Sequence, residues 1–327
     1  MSTIEVSRLR KFYSVFKKEP GLLGSFKSIF RRRYEEVKAV DDISFNIEEG
    51  ELVGFIGPNG AGKTTTLKCL SGLLYPDAGF ISVLGFQPWK RQPGFQKQFA
   101  LVMGQKNQLW WDLPPMETFL LNKEIYEVPN EQFKKTLDEL VELLEVEDIL
   151  KIQTRKLSLG QRMKCELIAA LLHSPKVLFL DEPTIGLDVI MQKKIRDFIK
   201  EYNQRYKATI ILTSHYMGDV KELCKRVMII DKGQFVFYGA LEKITKKYTE
   251  HKLISIVLEE KVDAAKLKQL GKVEKFDYPH VDFKAKQEEV SPLTAKILKE
   301  LPVADLNIEE PPIEEIIRDL FTKKNYQ

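Results

Sequence analysis

Short unbroken apolar runs recur in the first part of the chain, at Leu52–Ile56, 177–180, 209–212 and 227–230, each followed by turn or helix-starting residues. Runs of this length without alternation suit strands buried on both faces, so they predict a parallel or mixed sheet covered by helices. Between about 117 and 150 the period changes. Leu137, Leu140, Val141 and Leu144 recur at helix spacing among acidic residues, which predicts a helical subdomain, about 106–165, within one α/β unit spanning 1–243.

From about 245 the texture shifts to Lys and Glu mixed with short elements. It predicts a strand at 253–258, a helix at 263–270, strands at 273–278 and 281–286 joined at Pro279 and His280, a helix at 293–301 and a strand at 303–308. The order βαββαβ is that of a split βαβ, ferredoxin-like unit, here occupying 245–327. A last helix is expected at 313–321, where Pro311 and Pro312 precede the first turn.

Composition narrows the classes. The 327 residues are 43% apolar and 30% charged, a globular balance that excludes collagen-like, disulfide-scaffold and disordered chains. With 51 basic against 47 acidic residues the net +4 is too small for nucleic acid to be the main partner. Cys69, Cys165 and Cys224 are odd in number and far apart, so reduced thiols and no zinc site are expected. The first ten residues do not read as a secretory signal. No apolar run approaches the roughly 20 residues of a membrane span, so any spanning is expected of another chain.

One stretch interrupts the plan. Residues 14–38 hold Lys17, Lys18, Lys27, Arg31, Arg32, Arg33 and Lys38 against Glu19, Glu35 and Glu36, a local excess that equals that of the whole chain. Leu22, Leu23, Phe26, Ile29 and Phe30 share one helical face there. Either a basic amphipathic surface for an anionic membrane or partner, or a solvated loop weakened by Gly21 and Gly24, fits this pattern.

The chemistry begins at Gly57-Pro58-Asn59-Gly60-Ala61-Gly62-Lys63-Thr64, which fits the phosphate-loop pattern, follows an apolar strand and opens a helix-compatible segment at 65–74. Backbone N–H groups of Gly57, Asn59, Gly60, Ala61, Gly62 and Thr65 are placed to surround phosphates, aided by the helix N-terminus. Lys63 should reach the β and γ phosphates, and the Thr64 hydroxyl should bind Mg²⁺. Downstream, the apolar run 177–180 ends in Asp181 and Glu182. Asp181 is positioned to hold Mg²⁺, and Glu182, aimed elsewhere by the strand period, is the candidate general base. A guanine reader would carry N-K-x-D, and Asn122-Lys123-Glu124-Ile125 lacks its aspartate, so ATP is favoured over GTP.

The segment Leu157-Ser158-Leu159-Gly160-Gln161 resembles the L-S-G-G-Q signature of ABC ATPases, with Leu159 replacing the first glycine. The chain is similar to that family in order and spacing over about 3–240. The resemblance implies an ABC nucleotide-binding fold, Gln105 as the Q-loop residue and Mg²⁺ ligand, Asp188 in the D-loop and His215 as the switch histidine that clamps the γ-phosphate. It implies Tyr13 as the aromatic stacking on adenine, although Phe12 stands beside it. It also implies that Ser158, Gly160 and Gln161 act on the ATP of a second ATPase subunit, two nucleotides being sandwiched in a dimer that the complete motif set allows to be a homodimer. The tail with 312–321 resembles the extension of ATPases serving ABC-2 type exporters, and Leu109-Trp110-Trp111-Asp112-Leu113-Pro114 is similar to a drug- or viologen-exporter-like branch. Trp110 and Trp111 suit either a groove for a partner's coupling helix or internal packing. The expectation is an ATPase on the cytoplasmic face of a bacterial membrane, energising a separate transmembrane permease. The rival is a soluble ABC ATPase acting on ribosomes or DNA; a small-molecule P-loop kinase gives no reason for the signature segment.

Overall fold

The computed structural model describes residues 2–16, 34–104, 106–214, 216–248, 251–310 and 316–317. The chain divides into two compact units, Met1–Gly239 and Ala240–Gln327. In the first, the order is β1 (Ser2–Phe16), β2 (Tyr34–Glu48), β3 (Leu52–Ile56), α1 (Lys63–Leu70), β4 (Ala78–Val83), β5 (Phe99–Met103), α2 (Pro115–Ile125) and α3 (Asn130–Leu144). It continues with α4 (Leu159–Leu171), β6 (Val177–Asp181), α5 (Val189–Tyr206), β7 (Thr209–Thr213), α6 (Met217–Leu223), β8 (Arg226–Asp231) and β9 (Gln234–Ala240).

The apolar runs form the centre of a six-stranded sheet, ordered β5-β6-β7-β3-β8-β9. Strands β3, β6 and β7 are buried along their whole length, as continuous Val, Ile and Leu runs require when helices cover both faces. Pairing is parallel from β5 to β8, and the register sets Met103 opposite Asp181 and Asp181 opposite Thr213. The carboxyl ends of three strands therefore converge, the place where open α/β sheets bind ligands.

A second, antiparallel sheet in the order β2-β1-β4 shares the core: Ile4, Ile43 and Ile81 join Phe55, Phe179 and Leu67 in one buried cluster. The patterning above predicts neither this sheet nor β5 and β9. Strands β1 and β2 break their alternation at several register shifts, and residues 14–38 separate them. The β1–β2 ribbon continues to Phe16 paired with Tyr34. Residues 14–16 and 34–38 of the basic stretch are thus strand, while Leu22, Leu23, Phe26, Ile29 and Phe30 lie outside the described residues.

Helix α1 starts at Lys63 and stops at Leu70, short of the expected 74, where Ser71 ends the helix. The helical expectation over 117–150 resolves into α2 and α3, separated near Val128 and Pro129.

The second unit contains α7 (Leu241–Tyr248), β10 (His251–Leu258), α8 (Ala264–Leu270), β11 (Lys272–Asp277), β12 (His280–Lys286), α9 (Val290–Glu300) and β13 (Val303–Glu309). Its sheet has the order β11-β12-β10-β13 with antiparallel contacts, the ferredoxin-like arrangement of a βαββαβ chain. Alternation drives it: Ile254, Ile256, Val281 and Phe283 turn inward against Leu267, Leu270 and Ile297 of the helices. Asp263 caps α8 by accepting from the Ala265 N–H at 3.1 Å. Of the expected helix at 313–321, only Ile316 and Ile317 lie among the described residues; both are helical and buried.

Candidate active site

The loop between β3 and α1 is shaped by close backbone approach. A Cβ on Gly57 would stand 2.3 Å from the Ile230 carbonyl oxygen. Gly62 has φ +112°, and its Cβ would stand 2.3 Å from the Ala39 carbonyl oxygen, so both conformation and space exclude a side chain there. Gly62 also caps α1, with no side-chain cap and no acid in the first turn. The N–H groups at that end are left for a ligand and carry the positive end of the helix dipole.

The loop borders a cavity of about 300 Å³ lined by Asn59, Gly60, Ala61, Gly62, Lys63, Thr64 and Thr65, with Asp181 and Glu182 across from them. Lys63 is 5% exposed and its Nζ donates to the carbonyls of Gly57 and Pro58 at 2.5 and 3.1 Å. Burial pulls its pKa down, opposed by Glu182 and Asp181. The Asp181 carboxylate accepts from the hydroxyls of Thr64 and Thr213, each at 2.7 Å. Thr64 and Asp181 thus offer adjacent oxygen donors inside the cavity, a set that fits a hard cation such as Mg²⁺.

Glu182 leaves the strand in the left-handed region, φ +57°, uncommon outside glycine. Its N–H donates to the Thr213 hydroxyl at 3.0 Å and to the Thr213 carbonyl at 3.1 Å. Those bonds offset the strain and hold the acid at the cavity wall.

The remaining expected residues are distributed as follows. Gln105 and His215 lie outside the described residues. Tyr13 sits on β1 opposite Val37, with the Lys11 ammonium 5.8 Å from its ring centre; it is not among the cavity-lining residues, to which β2 contributes Ala39. Ser158 caps α4 through a capping box with Gln161: the Gln161 N–H donates to the Ser158 hydroxyl at 3.2 Å, and the Ser158 N–H to Gln161 Oε1 at 2.9 Å. Gly160 is buried, and a Cβ there would meet the Met191 side chain at 2.8 Å. Leu159 reaches Gly186, where a Cβ would stand 3.1 Å from its Cδ2. Asp188 caps α5, accepting from the Met191 N–H at 2.8 Å.

Sequence reasoning missed four lining residues, Ala39, Lys68, Met103 and Lys106, and the Thr213 hydroxyl that orients Asp181. Lys68 was findable, since it lies one helical turn beyond Thr64 on α1. Lys106 stands in a loop without periodicity. Trp110 and Trp111 are 58% and 49% exposed, which rules out internal packing for both; Arg162 lies 5.6 Å from the Trp111 ring centre.

Farther along α4, Glu166 is 2% exposed, and burial pushes its carboxyl up to about 7 against the opposing Gln108 N–H and Arg162. The unfolded chain releases this proton near pH 4.5 and the folded chain near 7, so the stability it contributes is complete at low pH and is lost as pH rises through that window. Glu166→Gln cannot titrate. Urea unfolding at pH 5 and pH 8 is therefore expected to show the variant gaining on the wild type by at most about 3 kcal/mol at the higher pH.

A phosphate cradle after β3, facing a hydroxyl-held carboxylate at the end of β6 with β7 between the two strands, makes the first unit a P-loop nucleoside triphosphatase. The model of the family described as "ABC transporter" matches residues 40–185, and that of the "EvrA-like ABC transporter, C-terminal domain" matches 250–309. The ABC transporter ATP-binding protein NatA of Bacillus subtilis (strain 168) is 34% identical over 215 residues, 66% of this chain and 87% of that protein. The bacitracin transport ATP-binding protein BcrA of Bacillus licheniformis is 32% identical over 225 residues, 68% of this chain and 72% of BcrA. A solved ATP-binding subunit of an ABC transporter has a TM-score of 0.62 at 25% identity, covering 75% of this chain and 93% of that one. A dimeric ATP-binding cassette in a post-hydrolysis state bound to ADP and Pi shares the fold, with a TM-score of 0.61 at 22% identity over 73% of this chain and 98% of that one. The chain belongs to the ABC transporter family, as an ATP-binding and ATP-hydrolysing subunit of the type that serves ABC-2 exporters.

Proposed function

We propose that two copies of this chain clamp two ATP molecules between the phosphate loop of one and the Ser158-Leu159-Gly160 end of α4 of the other, and that closure drives a separate transmembrane permease. The observation that carries this reading is the convergence of Lys63, Thr64, Asp181 and Glu182 on one cavity, with the Ser158-capped α4 terminus outside that cavity's lining. Lys63 binds the β and γ phosphates, exchanging its bonds to the loop carbonyls for phosphate oxygens. Glu182 accepts the proton of the attacking water as the bond to the γ-phosphorus forms and the bond from that phosphorus to the β–γ bridging oxygen breaks, so that ADP leaves and phosphate is the second product. Thr64 and Asp181, with Gln105 by motif, would hold Mg²⁺, which when bound neutralises phosphate charge. His215 is assigned to the γ-phosphate and Tyr13 to the adenine by motif position.

The partner surface is assigned to the helical region. Trp110, Trp111, Leu113, Leu120, Leu121 and Ile125 are all exposed there, an apolar content suited to a protein partner. No helix among the described residues is long and apolar enough to cross a membrane, and the chain is assigned a peripheral place at the cytoplasmic face of a bacterial membrane. The test is affinity capture of the full chain from detergent-solubilised membranes: recovery of a multispanning partner supports the reading, and recovery of ribosomes or DNA overturns it.

The basic stretch is assigned to membrane or partner contact. Because Phe16 pairs with Tyr34, replacing residues 17–33 by Asn-Gly closes the ribbon with a two-residue turn. ATP hydrolysis is expected to stay within about threefold, while co-sedimentation with anionic vesicles or with the partner weakens. Equal co-sedimentation of both proteins would make the stretch a solvated loop.

A further inference from the structure

Glu166 is a buried acid that lies outside the hydrolytic site. It lies in the middle of α4 among Met163, Cys165, Leu167 and Ile168, all buried. A carboxyl in such surroundings costs stability that an apolar residue would not. Its bonds lead in one direction. Glu166 Oε1 accepts the Gln108 N–H at 3.3 Å, and Arg162, one turn earlier, places its Nε 3.7 Å from the same oxygen. The Gln108 side chain in turn donates to the Leu101 carbonyl of β5 at 2.8 Å. Arg162 extends the attachment by lying over Trp111.

The strap held in this way is the continuation of the cavity wall. Met103 and Lys106 line the cavity, and the Lys106 N–H donates to the Met103 carbonyl, two residues before Gln108. At its other end, α4 carries Ser158 and Gly160. Glu166 lies eight positions beyond Ser158, a rigid helical span of about 12 Å. One hydrogen-bonded carboxyl therefore stands between the chain that borders the nucleotide and the helix whose tip is presented to a second subunit.

We infer that Glu166 is a positioning residue, fastening the strap that follows β5 to α4 so that nucleotide in the cavity sets the placement of the Ser158-Gly160 tip. The inference rests on the clamp reading above, because the tip matters to hydrolysis only if it meets the nucleotide of another copy. It contributes no atom to the cavity itself, so its loss should spare nucleotide affinity and reduce turnover.

The experiment uses the full chain with Glu166→Ala and Glu166→Gln, each alone and combined with Glu182→Gln. Four quantities are read: affinity for a fluorescent ATP analogue, kcat and KM for ATP, the ATP concentration that produces dimers by light scattering in the Glu182→Gln background, and the melting temperature. Glu166→Ala is expected to bind the analogue within about twofold of wild type, to lose about tenfold or more in kcat, and to need about tenfold more ATP to dimerise. Glu166→Gln should recover at least about half of kcat, because its amide oxygen still accepts the Gln108 N–H. Wild-type kcat and dimerisation in Glu166→Ala would overturn the inference. So would parallel losses of affinity, kcat and melting temperature, which would mean that the residue only supports packing. If Glu182→Gln with Glu166 intact forms no dimer, the clamp reading fails on its own, and the inference that depends on it falls with it.

Discussion

Glu182→Gln is expected to slow ATP turnover by about 10²- to 10⁴-fold, the range for losing a general base, or roughly 3 to 5 kcal/mol of barrier. Nucleotide binding should survive, because the substitution keeps the shape of the side chain and leaves the loop, Lys63 and Thr64 untouched. The backbone at 182 should hold its left-handed turn, since its N–H still donates to Thr213. ATP should then accumulate unhydrolysed and light scattering should report a dimer. Undiminished turnover by an ATP-bound monomer would remove both the base and the clamp.

Lys63→Ala is expected to weaken ATP binding by at least about 10²-fold, since hydrogen bonds to charged groups contribute roughly 1.5–3 kcal/mol each and the ammonium can make more than one to the phosphates. The carbonyls of Gly57 and Pro58, to which Lys63 donates, offset part of that gain. The fold should persist. Burial already disfavours the charge of Lys63, so removing it takes away a group that is itself costly to bury, and the melting temperature should change little. Isothermal titration on protein checked by circular dichroism decides the matter; wild-type affinity would reject the phosphate-loop assignment.

The two acids after β6 show where local pattern stops being informative. Strand period sends Asp181 and Glu182 to different sides, but the structure places both on the cavity wall, because Glu182 enters a left-handed turn stapled to Thr213. Thr213 belongs to a strand 32 residues on, and it also holds Asp181. Leu159 is a comparable case. As a departure from the signature it carried no structural meaning in the sequence, and only the fold brings it against Gly186.

By itself the sequence determined the parallel strands β3, β6, β7 and β8, the phosphate loop, the acid pair and the βαββαβ tail. Each is written in contiguous residues whose period or glycines act over a turn or less of chain. Only the tertiary structure decided the antiparallel sheet, whose strands β1 and β2 are interrupted by bulges and by the basic stretch. It alone made Lys106 a cavity residue, Trp110 and Trp111 exposed, and Glu166 the acid that meets Gln108. Those outcomes depend on pairings between residues dozens of positions apart, where burial and a single hydrogen bond outweigh local preference and leave no periodic trace in the chain.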